Sequence, residues 1–323
     1  MKFHKTLAIV ATLACASAAS AQGYPTRPIT MVVPAPAGGA TDAIARALAT
    51  EMGQQLKQPI VVDNKPGATG MLGTQAVARA APDGYTLLMT VSAPILNAPY
   101  LFQKVPYDVS RDLAFISQVC TAAMVLAVGK DVPATTMKEF TAWAEKNKGK
   151  VSYGSFGIGG AGHLVSAYLN ETRKLDMNHV AYKGEAPMVQ DIISGQIPWG
   201  VGSVGTLAPH IASGKVRALA VFGDHRLKEL PNVPTMAEAG FPEPEYRPMG
   251  WMVMMAPANT PAPVLARLEE VTRAATQSDS VKARFQFFGF EAVGSSAEQF
   301  RREYEAARPV AQKLIQISGA KAE

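Results

Sequence analysis

The sequence predicts an α/β protein of two lobes, each built on a mostly parallel sheet flanked by helices. Short β-branched runs alternate with segments of helical periodicity along the chain, which is the rhythm of βαβ units. Two glycine-rich loops each stand between a predicted strand and a predicted helix. The rhythm breaks at 105–115 and again at 231–248, where proline and charged residues accumulate. The strands that follow these breaks, at 115–119 with 124–128 and at 251–256, are predicted to carry the chain between the lobes.

The amino-terminal residues predict an exported protein. Lys2 and Lys5 precede an apolar run at 7–14, and the small residues at 19–21 follow it. A basic start, a short apolar run and an A-x-A end describe a secretory signal peptide over residues 1–21. The apolar run is too short to span a bilayer. The mature chain is therefore expected in the periplasm.

Composition and charge restrict the class of protein. The 323 residues are 48% hydrophobic, and 31 basic side chains oppose 26 acidic ones, for a net charge of +5. The charges are scattered and form no nucleic-acid-binding motif, which predicts a soluble globular protein with no nucleic acid as partner. After cleavage Cys120 is the one cysteine left, which excludes an internal disulfide. Lipidation of Cys15 stays an alternative to cleavage, although Thr12 stands where such sites usually carry leucine.

The first lobe is predicted over residues 22–122 together with 250–323. Its first part has predicted strands at 29–33, 60–62 and 86–91 and predicted helices around 44–52 and 72–80. The chain then returns in an apolar strand, and two amphipathic helices close it; these segments lie at 251–256, 261–277 and 296–317.

The second lobe is predicted over residues 123–249. Strands at 115–119 and 124–128 carry the chain into this lobe. The βα series that follows has strands at 151–153, 179–181, 197–201 and 216–222 and helices at 137–146, 163–171, 186–194 and 206–213.

The first glycine-rich loop, Pro34-Ala-Pro-Ala-Gly-Gly39, follows a strand and opens a helix. Such a loop directs backbone amides that lack partners at a helix N-terminus, where the dipole also favours negative charge. The loop therefore suits an anion, with an ordinary βα connection as the alternative. Asp42, in the first turn, is interpreted as a partner of the dipole that holds the loop's shape, since a carboxylate would repel an anion.

The second glycine-rich loop admits an enzymatic interpretation. Gly157, Gly159 and Gly162 match the dinucleotide fingerprint G-x-G-x-x-G, and Asp176 stands at nearly the distance of a ribose ligand. The fingerprint is weak in so glycine-rich a segment, and an exported protein meets little NAD. Tyr153 stands where the nucleophile motif G-x-S-x-G would need glycine, so a serine hydrolase is unsupported.

Other chemistry is sparse in this sequence. The histidines of the mature chain show no i,i+4 pair, and neither cysteine nor paired carboxylates stand near them at ligand spacing, so no metal site is predicted. His163 begins a helix and is interpreted as a packed or capping residue ahead of a ligand contact. Tyr182 follows a strand, and its hydroxyl points either into a cleft or to a surface turn. The sequence thus predicts no catalytic residue and no enzyme.

Several ordered motifs extend along the mature chain. They are Tyr24-Pro-Thr-Arg-Pro-Ile29, Val33-Pro-Ala-Pro-Ala-Gly-Gly39 with Asp42, Asp63-Asn-Lys-Pro-Gly-Ala68, Ala81-Pro-Asp-Gly-Tyr-Thr86, Pro106-Tyr-Asp108, Tyr182-Lys-Gly184, Ser213-Gly-Lys-Val-Arg-Ala-Leu-Ala220 and Pro234-Thr-Met-Ala-Glu-Ala-Gly240. With these motifs the chain resembles the Bug proteins, the periplasmic solute receptors of tripartite tricarboxylate transporters. The resemblance covers essentially the whole mature chain.

The resemblance implies a two-lobed type II periplasmic binding protein, or Venus flytrap, which closes on its ligand. It implies that the loops at 35–42 and 155–163 hold one carboxylate of the ligand, largely through backbone amides and bridging waters. The expected ligand-binding residues are Ala35, Ala37, Gly38, Gly39, Thr41, Asp42, Ser92, Ser155, Gly159, Gly160, Ala161, His163, Tyr182, Gly202 and Ser203.

The resemblance also implies the partners. The protein is expected to act as a monomer that captures a small carboxylate and delivers it to the membrane components of a tripartite tricarboxylate transporter, without a cofactor or metal. Two alternatives stay open. One is an exported oxidoreductase that uses the loop at 157–162, and the other is a ligand sensor that signals through a partner.

Three positions depart from the family pattern. Ala35 stands where an aromatic residue is frequent, Met71 where asparagine is frequent, and Gly202-Ser203 where an aspartate followed by a small polar residue is common. Loss of the acidic group removes a partner for a ligand ammonium, so a plain mono- or dicarboxylate is expected ahead of an amino acid. The small Ala35 leaves room for an aromatic carboxylate.

Overall fold

A computed structural model describes residues 23–247 and 250–321, so the predicted signal peptide lies outside the described residues. The strands of the described part are β1 (Ile29–Val33), β2 (Ile60–Asn64), β3 (Thr86–Val91), β4 (Leu113–Ala122), β5 (Met124–Gly129), β6 (Ser152–Ser155), β7 (Asn178–Ala181), β8 (Trp199–Ser203), β9 (Val216–Phe222), β10 (Trp251–Pro257) and β11 (Phe290–Ala292).

The α-helices of the described part are α1 (Ala40–Leu56), α2 (Met71–Ala78), α3 (Ala98–Leu101), α4 (Val109–Asp112), α5 (Met137–Lys146), α6 (Ala161–Thr172), α7 (Glu185–Ser194), α8 (Val204–Ala212), α9 (Ala262–Thr276), α10 (Asp279–Phe288) and α11 (Ala297–Ser318). A π-helical turn at Ala93–Asn97 precedes α3. The sequence pattern did not predict α3, α4, α10 or β11. Among the described residues, no helix combines the length and the apolar character that crossing a membrane requires.

The strands form two sheets, as the two-lobed prediction requires. The first has the order β11-β4-β10-β3-β1-β2 and the second the order β7-β6-β8-β5-β9. The expectation of mostly parallel sheets is corrected, because parallel pairing joins β2, β1 and β3 in one sheet and β7, β6 and β8 in the other. The remaining neighbours are antiparallel. The physical reason is that β5 and β10 enter their sheets from the opposite lobe and so run against their neighbours.

The chain passes between the sheets at two adjacent points. Strand β4 ends at Ala122 and β5 begins at Met124, so sheet membership changes at Ala123. The chain returns just before β10, where the Ala122 amide donates to the Gly250 carbonyl at 2.7 Å. We call residues 23–122 and 250–321 lobe 1 and residues 123–247 lobe 2. The predicted division at the same positions stays an interpretation of domain structure.

The carboxyl ends of the parallel strands face the opposite lobe. Met124, the first residue of β5, pairs with Ser203, the last residue of β8. Met252, near the start of β10, pairs with Val91, the last residue of β3. Because β5 and β10 begin at the crossing between the lobes, the strands that end beside them also end there. The loops that follow β1, β3, β6 and β8 therefore meet at the cleft between the lobes.

At this edge, two neighbouring parallel strands of each sheet lead to helices or turns on opposite faces of the sheet. In lobe 1, α1 packs on the sheet face that carries Met31 and Met89, whereas the turn after β3 packs on the face that carries Val32. In lobe 2, α6 packs on the face of Trp199 and α8 on the opposite face, beside Val125. The neighbouring strands β1 and β3, and likewise β6 and β8, thus lead to opposite faces. Such switch points open a crevice at the carboxyl ends of the strands, where α/β proteins bind ligands.

The carboxyl-terminal helix contacts both lobes. Ser296 and Gln299 form a capping box at its start. On lobe 1, the Tyr304 hydroxyl donates to the Ile95 carbonyl at 3.3 Å. On lobe 2, Lys313 lies 5.2 Å from the centroid of the Tyr168 ring and forms an ion pair with Glu245. Helix α11 therefore connects lobe 1 to α6, the helix that leaves the second glycine-rich loop.

Candidate ligand-binding site

The first glycine-rich loop ends in an open helix N-terminus. Helix α1 starts after Gly39, which supplies no capping side chain. Gly38, with φ of 86°, adopts the left-handed conformation that favours glycine, and its amide donates to Asp42 Oδ2 at 2.9 Å. The amides of Ala40, Thr41 and Asp42 belong to the first turn, so they have no partner within the helix. They are positioned to receive an anion.

The buried side chain of Asp42 stabilises the conformation of this loop by hydrogen bonds. Its side chain is buried, and its two oxygens accept hydrogen bonds from Gly38 N, Arg46 Nε and Asn64 Nδ2. Asn64 Nδ2 also donates to the Ala35 carbonyl at 3.1 Å, which ties the start of the loop to β2. The hydrogen bond from Arg46 is the largest cause that lowers the pKa of Asp42. Asp42 thus has the structural role that the sequence favoured, and its carboxylate is engaged by donors of the chain itself.

The second glycine-rich loop repeats the geometry of the first in lobe 2. Helix α6 starts after Gly160, and Gly159 before it has φ of 73°. The Gly159 amide donates to His163 Nδ1 at 3.1 Å. In both loops, therefore, the third residue of the helix binds the amide of the glycine that precedes the cap. In each loop, one amide thus forms the hydrogen bond that fixes the loop's conformation, and the amides of the first helical turn stay available to a ligand.

His163 belongs to a buried aromatic stack. Its ring lies 4.0 Å from the ring of His179, and His179 stacks in turn on Tyr153. Because Nδ1 of His163 accepts the Gly159 hydrogen bond, the neutral ring carries its proton on Nε2. Burial, followed by the neighbouring His179, lowers the pKa of His163 to about 4. His163 therefore holds the loop, as the sequence interpretation favoured, and its role as a ligand contact stays a prediction.

This geometry predicts a pH dependence of stability that is specific to His163. The unfolded chain protonates this histidine near pH 6.5 and the folded chain only near pH 4, so the free energy of unfolding falls as the pH is lowered between these values. The loss reaches up to about 3 kcal/mol. The variant His163→Gln keeps an acceptor for the Gly159 amide but does not titrate. Urea unfolding at pH 7.5 and pH 5 should show a smaller change for this variant than for the wild type, and equal changes would contradict the assignment.

Two further predicted contacts have partners within lobe 2. Ser155 is fully buried, and its hydroxyl lies 2.7 Å from His179 Nε2. The Tyr182 hydroxyl donates to Asp191 Oδ2 at 2.7 Å, and burial together with Asp191 raises the pKa of Tyr182 to about 12. These hydroxyls therefore stabilise the structure of lobe 2 beside the loop, and their role as ligand contacts stays a prediction.

The other predicted residues lie at the carboxyl edges of the two sheets. Ala37, Gly38 and Gly39 are exposed, and Ala35, Thr41, Gly160 and Ala161 are half-buried. Ser92 follows β3 and is buried, while Gly202 and Ser203 end β8. The structure thus brings the backbone of the predicted residues to the two switch points. Their role as ligand contacts stays a prediction.

Sequence reasoning missed Asn97, which joins the two halves of the site. Its side chain is 6% exposed, and its Nδ2 donates to the Gly159 carbonyl of lobe 2 at 3.5 Å. Its Oδ1 is buried and has no hydrogen-bond partner among the described residues. Pro94 within the turn and Pro99 just after it were the local signal for an irregular helix at this position. No sequence signal indicated the contact across the cleft.

The oxidoreductase alternative conflicts with the position of Asp176. The loop at 157–162 follows the carboxyl end of β6, whereas Asp176 precedes the amino end of the parallel strand β7. The loop and Asp176 therefore lie at opposite edges of the sheet, and Asp176 cannot meet a ribose bound at the loop. Gly162 has a packing role, because a Cβ there would lie 2.9 Å from the Val201 carbonyl oxygen.

No group of three or more potential metal ligands among His, Cys, Asp and Glu occurs in the residues that the structure describes.

A cavity of about 870 Å³ lies between the lobes near the crossing strands, away from the glycine loops. Its cations Arg247, Arg273 and Arg302 lie 3.4–3.8 Å from carboxylate partners. Because these cations are already paired, the glycine loops are the better candidate for an anion site, despite the size of the cavity.

Comparison with known proteins identifies the family. Residues 44–319 match the model of the tripartite tricarboxylate transporter family receptor. Protein BugT of Bordetella pertussis is 36% identical over 293 residues, which cover 90% of this chain and 89% of BugT. The structure of MatC from Rhodopseudomonas palustris with bound malate is 28% identical, with a TM-score of 0.71, and the alignment covers 90% of this chain and 100% of MatC.

A second Rhodopseudomonas palustris protein, solved with adipate, is also 28% identical, with a TM-score of 0.74, and the alignment covers 92% of this chain and 99% of that protein. These matches confirm the two-lobed binding-protein fold and the resemblance that the motifs indicated. The chain belongs to the receptor family of the tripartite tricarboxylate transporters.

Proposed function

We propose that this protein is a periplasmic solute receptor that captures a small mono- or dicarboxylate, aromatic acids included, between its two lobes. It acts without a cofactor, turns over no substrate, and delivers the ligand as a monomer to the membrane components of a tripartite tricarboxylate transporter. The observation that carries this proposal is the pair of matching helix N-termini. Helices α1 and α6 both open at a glycine cap, and both lie at the cleft-facing edge of their sheets.

The geometry of the two loops supports an anionic ligand. A carboxylate placed between them receives backbone N–H groups and the positive ends of two helix dipoles at once. Each lobe supplies half of these contacts, so only the closed arrangement makes all of them, and the ligand favours closure. The side chain of Asn97 contacts Gly159 across the cleft, so a closing movement of the lobes would change this contact.

The comparisons support a carboxylate in particular. Malate is bound to MatC and adipate to the second Rhodopseudomonas palustris protein. Both acids are small carboxylates, and a carboxylate suits the two open helix ends. The small side chain of Ala35 beside the first loop extends the proposal to bulkier acids. Export rests on the predicted signal peptide.

The proposal is tested by thermal and urea unfolding in the presence of a panel of acids. Malate, adipate and benzoate are the probes, and the fully amidated form of each acid is its matched control. A carboxylate present at 100 times its dissociation constant should raise the free energy of unfolding by about 2.7 kcal/mol, and its uncharged amide should leave it unchanged. Equal stabilisation by acid and amide would contradict an anion site. Consumption of an acid in the presence of NAD would contradict the receptor function.

A further inference from the structure

A resident carboxylate occupies one helix N-terminus at the lobe 2 crevice. Glu185, the first residue of α7, extends its side chain to the start of α8. One of its oxygens accepts a hydrogen bond from Ser203 N, and the other accepts from Ser203 Oγ at 2.9 Å and from Thr206 Oγ1 at 3.1 Å. The end of α8 that would attract an anion is thus neutralised by the chain itself.

Gly202 makes room for this carboxylate. A Cβ at position 202 would lie 2.5 Å from Glu185 Oε1, so a larger residue there would displace the side chain. The sequence has no acidic residue at Gly202-Ser203, but α7 supplies one there, namely Glu185. The expectation that the end of β8 lacks an acidic group is therefore corrected. The pKa of Glu185 is raised overall, because the effect of burial exceeds that of the hydrogen bonds from Ser203 and Thr206, which lower it.

Glu185 lies beside the site of the proposed function. Its partner Ser203 ends β8, which neighbours β6, and β6 leads into the loop that opens α6. At this switch point the two helices leave on opposite faces, so the crevice has an open N-terminus on the side of α6 and a carboxylate on the side of α8. A ligand carboxylate held at α6 thus has its remaining atoms within the field of a negative charge.

We propose that Glu185 is a specificity residue, which selects ligands whose second end is a hydrogen-bond donor, uncharged or cationic, and rejects a second carboxylate at the α8 side of the crevice. This inference rests on the proposed function. Like charges in a partly buried site repel, whereas a donor such as a hydroxyl or amide finds an acceptor in the Glu185 oxygens. The receptor thereby prefers the monoamide of a diacid to the diacid itself.

The test compares isosteric pairs of probes by calorimetric titration. Succinate, adipate and terephthalate are each titrated beside their monoamide, first into the wild type. The monoamide of the pair that binds should bind about tenfold more tightly than the diacid. Glu185→Gln should remove this preference by tightening diacid binding. The substitution keeps the acceptor for Ser203 N, and the hydroxyls of Ser203 and Thr206 can rotate to accept from the new amide.

The control is Glu145→Gln, which removes the same charge from an exposed position on α5 and should leave the ratio of affinities unchanged. A wild type that binds the diacid at least as tightly as the monoamide overturns the inference, whether or not Glu185→Gln folds. An unchanged ratio in a folded Glu185→Gln also overturns it, while the receptor function stands. If no carboxylate binds the wild type, the proposed function fails and the inference fails with it.

Discussion

Replacing Gly160 with valine is expected to weaken carboxylate binding by about a hundredfold, which corresponds to about 3 kcal/mol. A residue at the N-cap position places its side chain beside the amides of the first helical turn. Valine would therefore cover with methyl groups the N–H donors of α6 that the proposed ligand uses. The fold should persist, because Gly160 has φ of −74° and ψ of 162°, which any residue adopts. A Cβ there would meet the Gly157 carbonyl oxygen at 3.3 Å, a close contact that a small shift of the loop relieves, and Phe156 Cε2 at 3.8 Å.

The matched control for this substitution is Thr136→Val at the N-cap of α5 in the same lobe. Thr136 forms a capping box with Glu139, so its loss should cost about 1 kcal/mol of stability but leave ligand affinity unchanged. Calorimetric titration with the acid that the panel identifies gives both affinities, and circular dichroism verifies folding. Wild-type affinity in Gly160→Val would show that the amides of α6 do not hold the ligand.

The second large effect is expected from Asp42→Asn, which should destabilise the protein by about 2–3 kcal/mol. Both carboxylate oxygens of Asp42 face only donors, namely Gly38 N, the Arg46 side chain and Asn64 Nδ2. Either orientation of an asparagine would point its own N–H groups at one of these donors. The loop would lose the hydrogen bonds that set its shape, and ligand affinity should fall with it.

The pH dependence of this difference can be stated from the direction of the pKa shift. Because the pKa of Asp42 is lowered in the folded chain, its contribution is complete above the unfolded value of about 3.9 and is lost as the pH falls below it. Urea unfolding of the two proteins should therefore differ by a constant amount from pH 7 to about pH 4 and converge at lower pH. Asp63→Asn, which removes an exposed carboxylate paired with Lys65, should change stability by less than about 0.5 kcal/mol. If Asp42→Asn also lowered the free energy of unfolding by less than about 0.5 kcal/mol, the buried hydrogen-bond network of Asp42 would be contradicted.

The sequence predicted those parts of the fold that depend on local patterns. Alternating β-branched and helical segments gave the βα series, and the bounds of β3, α5 and β9 agree with the predicted ranges. The strand direction was predicted less well, because the antiparallel course of β5 and β10 depends on where the chain crosses between the lobes. Helix α10 was missed because few of its residues are buried, so its apolar periodicity is weak.

The candidate site was predictable as two loops but not as a network of side chains. A strand, a glycine turn and a helix in succession indicate open amides, and this signal is local. The partners that hold the loops are remote in sequence. Asn64 reaches Asp42 from the next strand, and His179 reaches Ser155 from the other side of α6. Nothing in a hydrophobic pattern specifies such pairs, so the protein partners of Ser155 and Tyr182 could not be predicted.

The insertion of lobe 2 between Ala122 and Gly250 has a consequence for the order of folding. Strand β10 must pair with β3 and β4 to complete the lobe 1 sheet, yet the whole of lobe 2 separates it from them along the chain. Closing so long a loop of unfolded chain costs entropy and slows non-local pairing. A folded lobe 2 removes most of that cost, because the hydrogen bond from Ala122 N to Gly250 O joins its two ends at 2.7 Å. We therefore expect lobe 2 to fold first and to bring the two halves of lobe 1 close enough for β10 to pair with β3 and β4.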